Sequence, residues 1–379
     1  MKPASVHDHR ERARSRLPRI LFDYIDGAAM TETTLRHNVS DMEDLCLRQR
    51  VLRNVGTPDT SLSLFGQDWA MPVAMAPIGL AGYYARRGET QAARAAKAAC
   101  IPFTLSTVSL CDLEETTKAA GVPPWFQLYV LRDRGYLDAL LQKARDLGCP
   151  VLMLTVDMPV AGRRWRDPRN GLGAAGTAAA LKRAVDVLRH PEWLWDVQVH
   201  GGPHIFGNLV AAQPDAKNLS DFWTWLGNNF DPTVTWDDIE WIRARWPGTL
   251  LIKGILEPDD ARSAIKAGVD GIIVSNHGGR QLDGARSTIS ALPRVAEAVA
   301  GAKPVLLDGG IRNGADVLRA LSLGAQACLI GRAWAWALGG GGQAGVSSML
   351  ETLRQELIVS MQLTACTRLS DAGRHLIDA

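Results

Sequence analysis

Short apolar runs of β-forming residues alternate along the chain with stretches of helical periodicity. The apolar runs are PVAMAPIG (72–79), PFTLST (102–107), WFQLYV (125–130), VLMLTVD (151–157), LLIKGI (250–255), GIIVSN (271–276), PVLLDGG (304–310) and ACLIGR (327–332). Helix-period segments such as LDALLQKARDLG and GADVLRALSLGA lie between most of them. Strands that alternate with helices indicate βα units and a parallel sheet. Eight such units predict an α/β fold, a closed (β/α)8 TIM barrel.

Each predicted strand is apolar through its body and ends in glycine or a polar residue. These ends carry Gly79, Ser106, Gln127 with Tyr129, Thr155 with Asp157, Lys253, His277, Asp308, and Gly331 with Arg332. The carboxyl ends of barrel strands meet at one mouth, where such enzymes place their chemistry. A polar residue that merely starts a loop explains one or two of these ends. It does not explain Lys253, because burying an unpaired lysine is costly, so we expect the ends to converge on one site.

The last two strands carry an anion-binding signal. Gly309, Gly310 and Arg312 precede a predicted helix, and Gly331 with Arg332 ends the eighth strand. Backbone N–H groups at a helix N-terminus and two guanidinium groups form a phosphate site, often found after strands 7 and 8 of these barrels. The signal indicates a phosphate-bearing ligand and no more, because several nucleotide barrels and flavin barrels share it. The later GGGG at 339–342 follows a helical stretch, and we interpret it as a flexible turn without a phosphate role.

The segment SNHGGRQLDG (275–284) follows the sixth strand directly. A loop that only turns is built from Gly, Asn or Asp, whereas here His277 and Arg280 lie three residues apart beside two glycines. Histidine exchanges a proton near neutral pH, as a general base must, and arginine offers a planar fork of donors to a carboxylate. Taken alone, the segment has a polar turn as its alternative interpretation.

On these motifs the chain resembles the FMN-dependent 2-hydroxy-acid dehydrogenase and oxidase family, with most similarity to its bacterial respiratory L-lactate dehydrogenases. The similarity runs from about residue 8 to about residue 370 and rests on FDYIDGAA, MAPIGLAGYYARRGE, PFTLSTVS, WFQLYVLRDRG, LTVDMP, LLIKGI, SNHGGRQLDG, DGGIRNG and LIGRA. The resemblance implies FMN as cofactor and oxidation of an L-2-hydroxy acid, L-lactate to pyruvate first. The alternatives are (S)-mandelate or another bulkier acid as substrate, or use of oxygen as an oxidase.

The resemblance also implies a role for individual residues. The flavin ring would be held at Pro77, Ile78, Gly79, Ser106, Gln127, Thr155, Lys253 and Ser275. The ribityl chain and phosphate would be held at Asp308, Gly309, Gly310, Arg312, Gly331 and Arg332. The substrate carboxylate would lie among Tyr24, Tyr129, Arg164 and Arg280, and the catalytic set would be His277, Asp157, Tyr129 and Lys253. In that set His277 is the base and Asp157 orients its ring, with hydride and carbanion routes both open.

Some of these assignments keep a structural alternative. Tyr24 fits an amphipathic helix packed on the barrel, and Asp308 fits a cap of the helix that follows it. Arg164 competes with Arg163 and Arg166 in a basic loop. Small residues at 108 and 161 (Val108 and Ala161) fall where relatives vary the substrate pocket, and they would admit a substrate larger than lactate.

Composition excludes several other classes of protein. The 379 residues carry a formal net charge of +2 without a long basic block, which predicts no nucleic-acid partner. The six cysteines show neither C-x-x-C pairing nor His-rich spacing, so we expect reduced thiols of a cytosolic protein and no metal site. The N-terminus lacks an apolar signal region, and no run of eighteen apolar residues predicts a spanning helix.

We expect a single FMN-binding barrel domain over 1–379, with an N-terminal helical cap (1–65) and an insertion after strand 4 (158–249). Region 174–218 of the insertion departs from the family pattern. It contains a helix-period stretch with flanking basic residues, followed by Trp193 and Trp195. Such a segment suits a membrane interface, and a cover over the barrel with buried tryptophans is the equal alternative. The resemblance favours the membrane, because it implies that electrons pass to a quinone on the cytoplasmic side of the inner membrane. It also implies a homotetramer.

Overall fold

Eight parallel strands form one closed sheet in the computed structural model, which describes residues 3–172, 176–212, 225 and 228–378, with the backbone alone at 178–180 and 182. They are β1 (Val73–Met75), β2 (Thr104–Leu105), β3 (Trp125–Tyr129), β4 (Val151–Thr155), β5 (Thr249–Ile255), β6 (Gly271–Val274), β7 (Val305–Asp308) and β8 (Ala327–Ile330). Their order is β1-β8-β7-β6-β5-β4-β3-β2. A parallel bridge between Met75 and Phe103 joins β1 to the start of β2. The ring therefore closes, and the predicted (β/α)8 barrel is confirmed.

A helix follows each barrel strand. In order after β1 to β8 these helices are Gly88–Ala98, Leu113–Ala120, Arg134–Asp146, Trp236–Arg245, Pro258–Lys266, Thr288–Val299, Gly314–Ser322 and Arg332–Leu363. Strands such as β4 and β6 are buried at every position, as a parallel sheet covered by helices requires. A hairpin formed by Leu62–Leu64 and Gln67–Trp69 packs against the inward side chains of the barrel. The opposite end, at the carboxyl ends of the strands, is left for a site.

Three helices precede the barrel, Val6–Arg16, Arg19–Asp26 and Thr33–Glu43. The first packs along the long C-terminal helix Arg332–Leu363, and Cys46–Leu47 pairs with Ile377–Asp378 in a second small sheet. The N-terminal and C-terminal segments thus pack against each other outside the barrel. No helix among the described residues has both the length and the apolar character needed to cross a membrane.

The segment between β4 and the helix Trp236–Arg245 contains Arg166–Arg169, Thr177–Leu188, Pro191–Trp193, the π-helical turn Leu194–Val199 and the 3-10 turn Gly207–Ala212. Its two tryptophans have different environments, because Trp193 is 3% exposed and Trp195 is 66% exposed. Parts of region 174–218, namely 174–175 and 213–218, lie outside the described residues. A cover with buried tryptophans therefore accounts for Trp193 only. Trp195 is exposed to solvent, as a membrane interface would require.

The GGGG segment is part of a helix, so its interpretation as a flexible turn was wrong. It lies inside Arg332–Leu363, which kinks at Gly342 with a φ of +59°. A Cβ atom at Gly339 would lie 2.7 Å from a Leu17 methyl carbon, and one at Gly340 would lie 3.1 Å from the Ala13 nitrogen. Close packing of the first helix thus explains glycines that look, in one dimension, like a linker.

We predict that Gly345→Ala lowers the free energy of unfolding by about 1–3 kcal/mol, because its Cβ would lie 2.2 Å from the Ala337 carbonyl oxygen across the kink. Gly341→Ala in the same helix meets no atom within 4 Å and should be neutral or stabilise the protein by up to about 1 kcal/mol. Chemical denaturation of both variants measures the difference. Equal effects of the two substitutions would contradict the close approach at Gly345.

Candidate active site

A cavity with about 1200 Å³ of empty space lies at the carboxyl end of the barrel, with walls from all eight strand ends and the loops after them. The predicted site residues that line it are Tyr24, Pro77, Ile78, Gly79, Tyr129, Thr155, Arg164, Lys253, His277, Arg280, Asp308, Gly309, Gly310, Arg312, Gly331 and Arg332. The other four, Ser106, Gln127, Asp157 and Ser275, lie behind this lining. Asp157 and Ser275 hydrogen-bond to lining side chains, while Ser106 donates to Gln127 at 3.1 Å.

His277 and Asp157 are hydrogen-bonded at this mouth, with 2.8 Å between Nδ1 and Oδ1. His277 and the two glycines after it all have positive φ, of 56°, 64° and 75°, so the chain turns sharply after β6. Burial opposes the charge of Asp157, but His277 and Lys253 outweigh it and hold the pKa of that carboxyl below its usual value. With Nδ1 engaged by the carboxylate, Nε2 is the ring nitrogen that can exchange a proton with a ligand.

Asn38, from the helix Thr33–Glu43, fixes the start of the His277 loop. It is 1% exposed, and its amide exchanges hydrogen bonds of 2.9 and 2.8 Å with the Asn276 amide. The same helix lies so close that a Cβ atom at Gly279 would be 2.7 Å from the Leu35 nitrogen, and one at Gly310 would be 2.3 Å from the Asn38 carbonyl oxygen. The helix Thr33–Glu43 thus positions both the His277 loop and the glycine turn after β7. Strand-end patterns could not reveal Asn38, because it lies far outside the barrel sequence.

Lys253 is a buried cation with its counter-ion in place. The residue is 3% exposed. Its Nζ atom donates to Ser275 Oγ at 2.9 Å and lies 2.8 Å from Asp308 Oδ2. Burial opposes the ammonium charge, but Asp308 and Asp157 outweigh burial and raise the pKa of Lys253. Asp308 is occupied by this pair and Asn313 caps the following helix, so the alternative role of Asp308 as the cap was wrong. A persistent positive charge therefore faces the cavity at the end of β5.

The Tyr24 ring lies between two guanidinium groups. The Cζ atoms of Arg164 and Arg280 are 5.0 and 4.9 Å from its centroid. Burial lowers the pKa of Arg280, and the neighbouring charge of Arg164 lowers it further. Arg166, a rival for the role of Arg164, instead contacts three carboxylates of the N-terminal segment. An anion beside Arg164 and Arg280 would relieve their repulsion, so this end of the cavity could hold a carboxylate.

The second cationic end of the cavity lies at the turns after β7 and β8. Gly309 and Gly310 have φ of 112° and 92°, which only glycine adopts readily. Burial together with Arg280 and Arg312 lowers the pKa of Arg332 to about 9. The Arg332 guanidinium donates to the carbonyls of Ile25, Gly27 and Gly278. Its side chain thus links the N-terminal segment to the His277 loop by hydrogen bonds. The anion-binding pattern in the sequence did not predict this role.

Buried polar atoms test whether FMN fits this cavity. Gln127 Nε2 and Thr155 Oγ1 are buried and have no hydrogen-bond partner among the described residues. A flavin ring carries carbonyl and ring-nitrogen groups along one edge that would satisfy them, since buried polar groups are normally paired. A Cβ atom at Gly79 would lie 2.6 Å from a Val108 methyl carbon, so glycine keeps that wall open. Together with the cationic turns at the other end, the residues fit a planar ring that carries a phosphate.

Several lining residues were missed by the sequence analysis. Tyr84 is fully buried, and burial raises the pKa of its hydroxyl, which therefore stays neutral. Met158 and Phe230 add apolar walls beside the two small positions, Val108 and Ala161. Tyr84 lies within MAPIGLAGYYARRGE, one of the motifs on which the resemblance rests, so the resemblance offered a signal for it.

Comparison with known proteins agrees with this geometry. Residues 13–379 match the FMN-dependent dehydrogenase family. The L-lactate dehydrogenase of Actinobacillus pleuropneumoniae serotype 5b (strain L20) is 51% identical over 99% of this chain and 98% of its own length. That of Stenotrophomonas maltophilia (strain R551-3) is 53% identical over 97% of this chain and 96% of its own length.

Solved structures give the same answer for the fold. The monotopic membrane protein (S)-mandelate dehydrogenase superposes with a TM-score of 0.93 at 34% identity, covering 100% of both chains. A mandelate oxidase superposes with a TM-score of 0.83 at 38% identity, covering 100% of this chain and 98% of its own.

We predict that Asn38→Ala lowers the free energy of unfolding by about 2–4 kcal/mol, because the Asn276 amide and the Thr288 N–H would both lose a buried partner. Asn54→Ala removes an exposed side chain that only accepts the Gly56 N–H, so it should change stability by less than about 0.5 kcal/mol. Urea denaturation of both variants measures the contrast. Similar values for the two would show that Asn38 does not hold the loop.

Proposed function

The chain belongs to the FMN-dependent dehydrogenase family, and we infer that it oxidises an L-2-hydroxy acid, L-lactate first, to the 2-oxo acid. The observation that carries this proposal is the meeting of the His277–Asp157 couple with the two guanidinium groups around Tyr24 in one cavity. A small acid needs this pair of devices, a clamp for its carboxylate and a base for its hydroxyl-bearing carbon. Bound FMN supplies the two-electron acceptor.

The residues that would hold FMN are those whose free polar atoms and charges match its parts. The ring would lie against Pro77, Ile78, Gly79, Ser106, Gln127, Thr155, Lys253 and Ser275. The ribityl chain and phosphate would lie against Asp308, Gly309, Gly310, Arg312, Gly331 and Arg332. Because the pKa of Lys253 is raised, its ammonium charge persists and can stabilise negative charge on a ring beside it.

The substrate is proposed to bind with its carboxylate between Arg164 and Arg280, each of which can offer two donors. Burial, Asp157 and Tyr24 all raise the pKa of Tyr129, so that hydroxyl stays a neutral donor beside the carboxylate. His277 then accepts a proton at Nε2, and the Asp157 carboxylate stabilises the imidazolium that results. Asp157 can do this because its pKa is held below its usual value.

L-lactate is preferred over bulkier acids in this proposal because the curated L-lactate dehydrogenases are the more similar relatives in sequence, at 51% and 53% identity against 34% for the mandelate dehydrogenase. (S)-mandelate remains the second candidate. Ala161 and Val108, two small side chains in the cavity wall, favour it.

We predict that His277→Gln keeps its bound flavin and reduces it with L-lactate roughly 10²–10⁴ times more slowly, because the base is lost while the cavity keeps its shape. Anaerobic bleaching of the flavin absorbance, followed in a stopped-flow instrument, measures the rate. The control is His375→Gln, an exposed histidine outside the cavity, which should bleach at the wild-type rate. Bleaching of the His277 variant within about tenfold of wild type would remove the base assignment.

The substrate class is tested on the unaltered enzyme by the same assay. L-lactate, D-lactate and both hands of mandelate form the panel, and we expect bleaching by L-lactate with little by D-lactate. No bleaching by any of the four acids would reject the proposed function.

We further propose that the enzyme passes electrons to a quinone as a homotetramer on the cytoplasmic face of the inner membrane. The membrane location is supported by the segment after Thr177, where Leu181, Leu188 and Trp195 are 66%, 69% and 66% exposed. Trp193, by contrast, is buried and donates from its indole to the Tyr83 carbonyl at 2.7 Å. Asp196 lies between Arg16 and Arg86, at 3.2 and 3.6 Å. An apolar face on an anchored segment suits insertion into a bilayer interface.

We predict that Leu188→Glu with Trp195→Glu reduces flotation with anionic liposomes at least about tenfold, because two large apolar side chains would no longer enter the interface. Leu363→Glu, which changes a 53% exposed leucine of the C-terminal helix, is the matched control and should float normally. Unchanged thermal melting would show that the double variant is folded. Flotation equal to wild type would reject the membrane face.

A further inference from the structure

A second cavity, open to solvent, adjoins the candidate active site. The two share Tyr129, Thr155, Met158 and Phe230 as walls. The rest of the second cavity's lining among the described residues is largely apolar and includes Val130, Val156, Val234, Trp236, Ile239 and Ile255. A hydrocarbon group that passed the shared wall would therefore enter apolar surroundings, where each buried methylene stabilises binding.

Phe230 is the part of this wall that comes from outside the barrel. Its backbone pairs with Leu131 in an antiparallel bridge, and its carbonyl accepts from Arg132 Nε at 3.2 Å. The next residue, Asp231, lies 2.9 Å from Arg134 Nη2. The ring stands edge-on to Tyr129, with 5.5 Å between centroids and 81° between planes. Its backbone is thus held by the loop after β3, and its side chain is one of the four that separate the two cavities.

Charge decides which end of a ligand could enter. The second cavity carries acidic residues in its lining, Asp231 and Asp260, whereas the first carries Arg164 and Arg280. The two guanidinium groups therefore favour a carboxylate in the first cavity over the second. A 2-hydroxy acid can use both only with its head at the guanidinium groups and its side chain towards Phe230.

We propose that Phe230 sets the upper size limit of the substrate side chain, and that the second cavity is a subsite for a long apolar side chain once this ring is shortened. The inference rests on the proposed function, because it assumes a 2-hydroxy acid bound through Arg164 and Arg280. It assigns specificity to a residue of the insertion, in addition to the small positions 108 and 161.

The test compares wild type with Phe230→Ala, both loaded with FMN. Isothermal titration calorimetry with straight-chain carboxylates from propionate to octanoate measures binding without turnover. In the variant, we expect roughly fourfold tighter binding for each methylene added. Wild type should gain nothing with length. The ratio of kcat/KM for L-2-hydroxyoctanoate to that for L-lactate should rise at least about 100-fold in the variant.

Two further variants make the test specific. Phe230→Ala combined with Val234→Trp, which fills the second cavity from its far wall, should lose the gain for long chains. Phe230→Leu keeps apolar packing on Tyr129 and should show the same trend more weakly, so it serves if the alanine variant does not fold. The same chain-length dependence in wild type and in the folded Phe230 variants would overturn the inference, as would long-chain binding that survives Val234→Trp.

Failure of the two proposals is distinguishable. A wild-type enzyme whose flavin is bleached by none of the four acids of the panel contradicts the proposed function, whatever the calorimetry gives. A wild-type enzyme that oxidises L-lactate, beside variants without any gain for long chains, contradicts only the role of Phe230.

Discussion

The site depends on keeping charged groups ionised where water is largely excluded. Asp157 and Asp308 have little exposed surface, and each carboxylate oxygen lies 2.8 Å from a nitrogen, of His277 or of Lys253. Removing one partner of such a pair would leave an uncompensated buried charge, which costs several kcal/mol. Burial lowers the pKa values of the Arg280, Arg312 and Arg332 guanidinium groups. A ligand with an anionic group at each end of the cavity would offset the cost of burying these cations.

The barrel alone does not hold this arrangement; the N-terminal helices complete it. Asn38 binds the base loop, and Arg332 donates to the carbonyls of Ile25 and Gly27 while it also binds the loop at Gly278. Such contacts require backbones to touch, which explains the glycines at 279 and 310 by steric fit as well as by turn geometry. The helices Arg19–Asp26 and Thr33–Glu43 are thus as much a part of the mouth as the strand ends, and loosening them would disturb the His277 loop and the glycine turn after β7 together.

The sequence allowed the barrel and most of its mouth to be predicted, for a physical reason. A strand buried on both faces has a continuous apolar body, so a lysine or histidine at its end stands out, as at Lys253 and His277. Asn38 gave no such signal, since a polar residue in a surface-like helix is ordinary until the helix is packed. The glycines 339–342 misled because close helix packing and a flexible linker require the same residue. Trp193 and Trp195 lie two positions apart, yet one is buried and the other exposed, a difference set by tertiary contacts that periodicity does not contain.

The insertion contributes both to the walls of the active-site cavity and to the exposed apolar surface of the protein. Ala161 and Arg164, near its start, line the active-site cavity, and so does Phe230, near its end. Its middle presents Leu188 and Trp195 to the outside, while Trp193 binds the carbonyl of Tyr83, the residue before the cavity-lining Tyr84. A change within this one stretch of chain can therefore affect the cavity walls and the exposed apolar side chains together, so a variant made to alter one should be examined for its effect on the other.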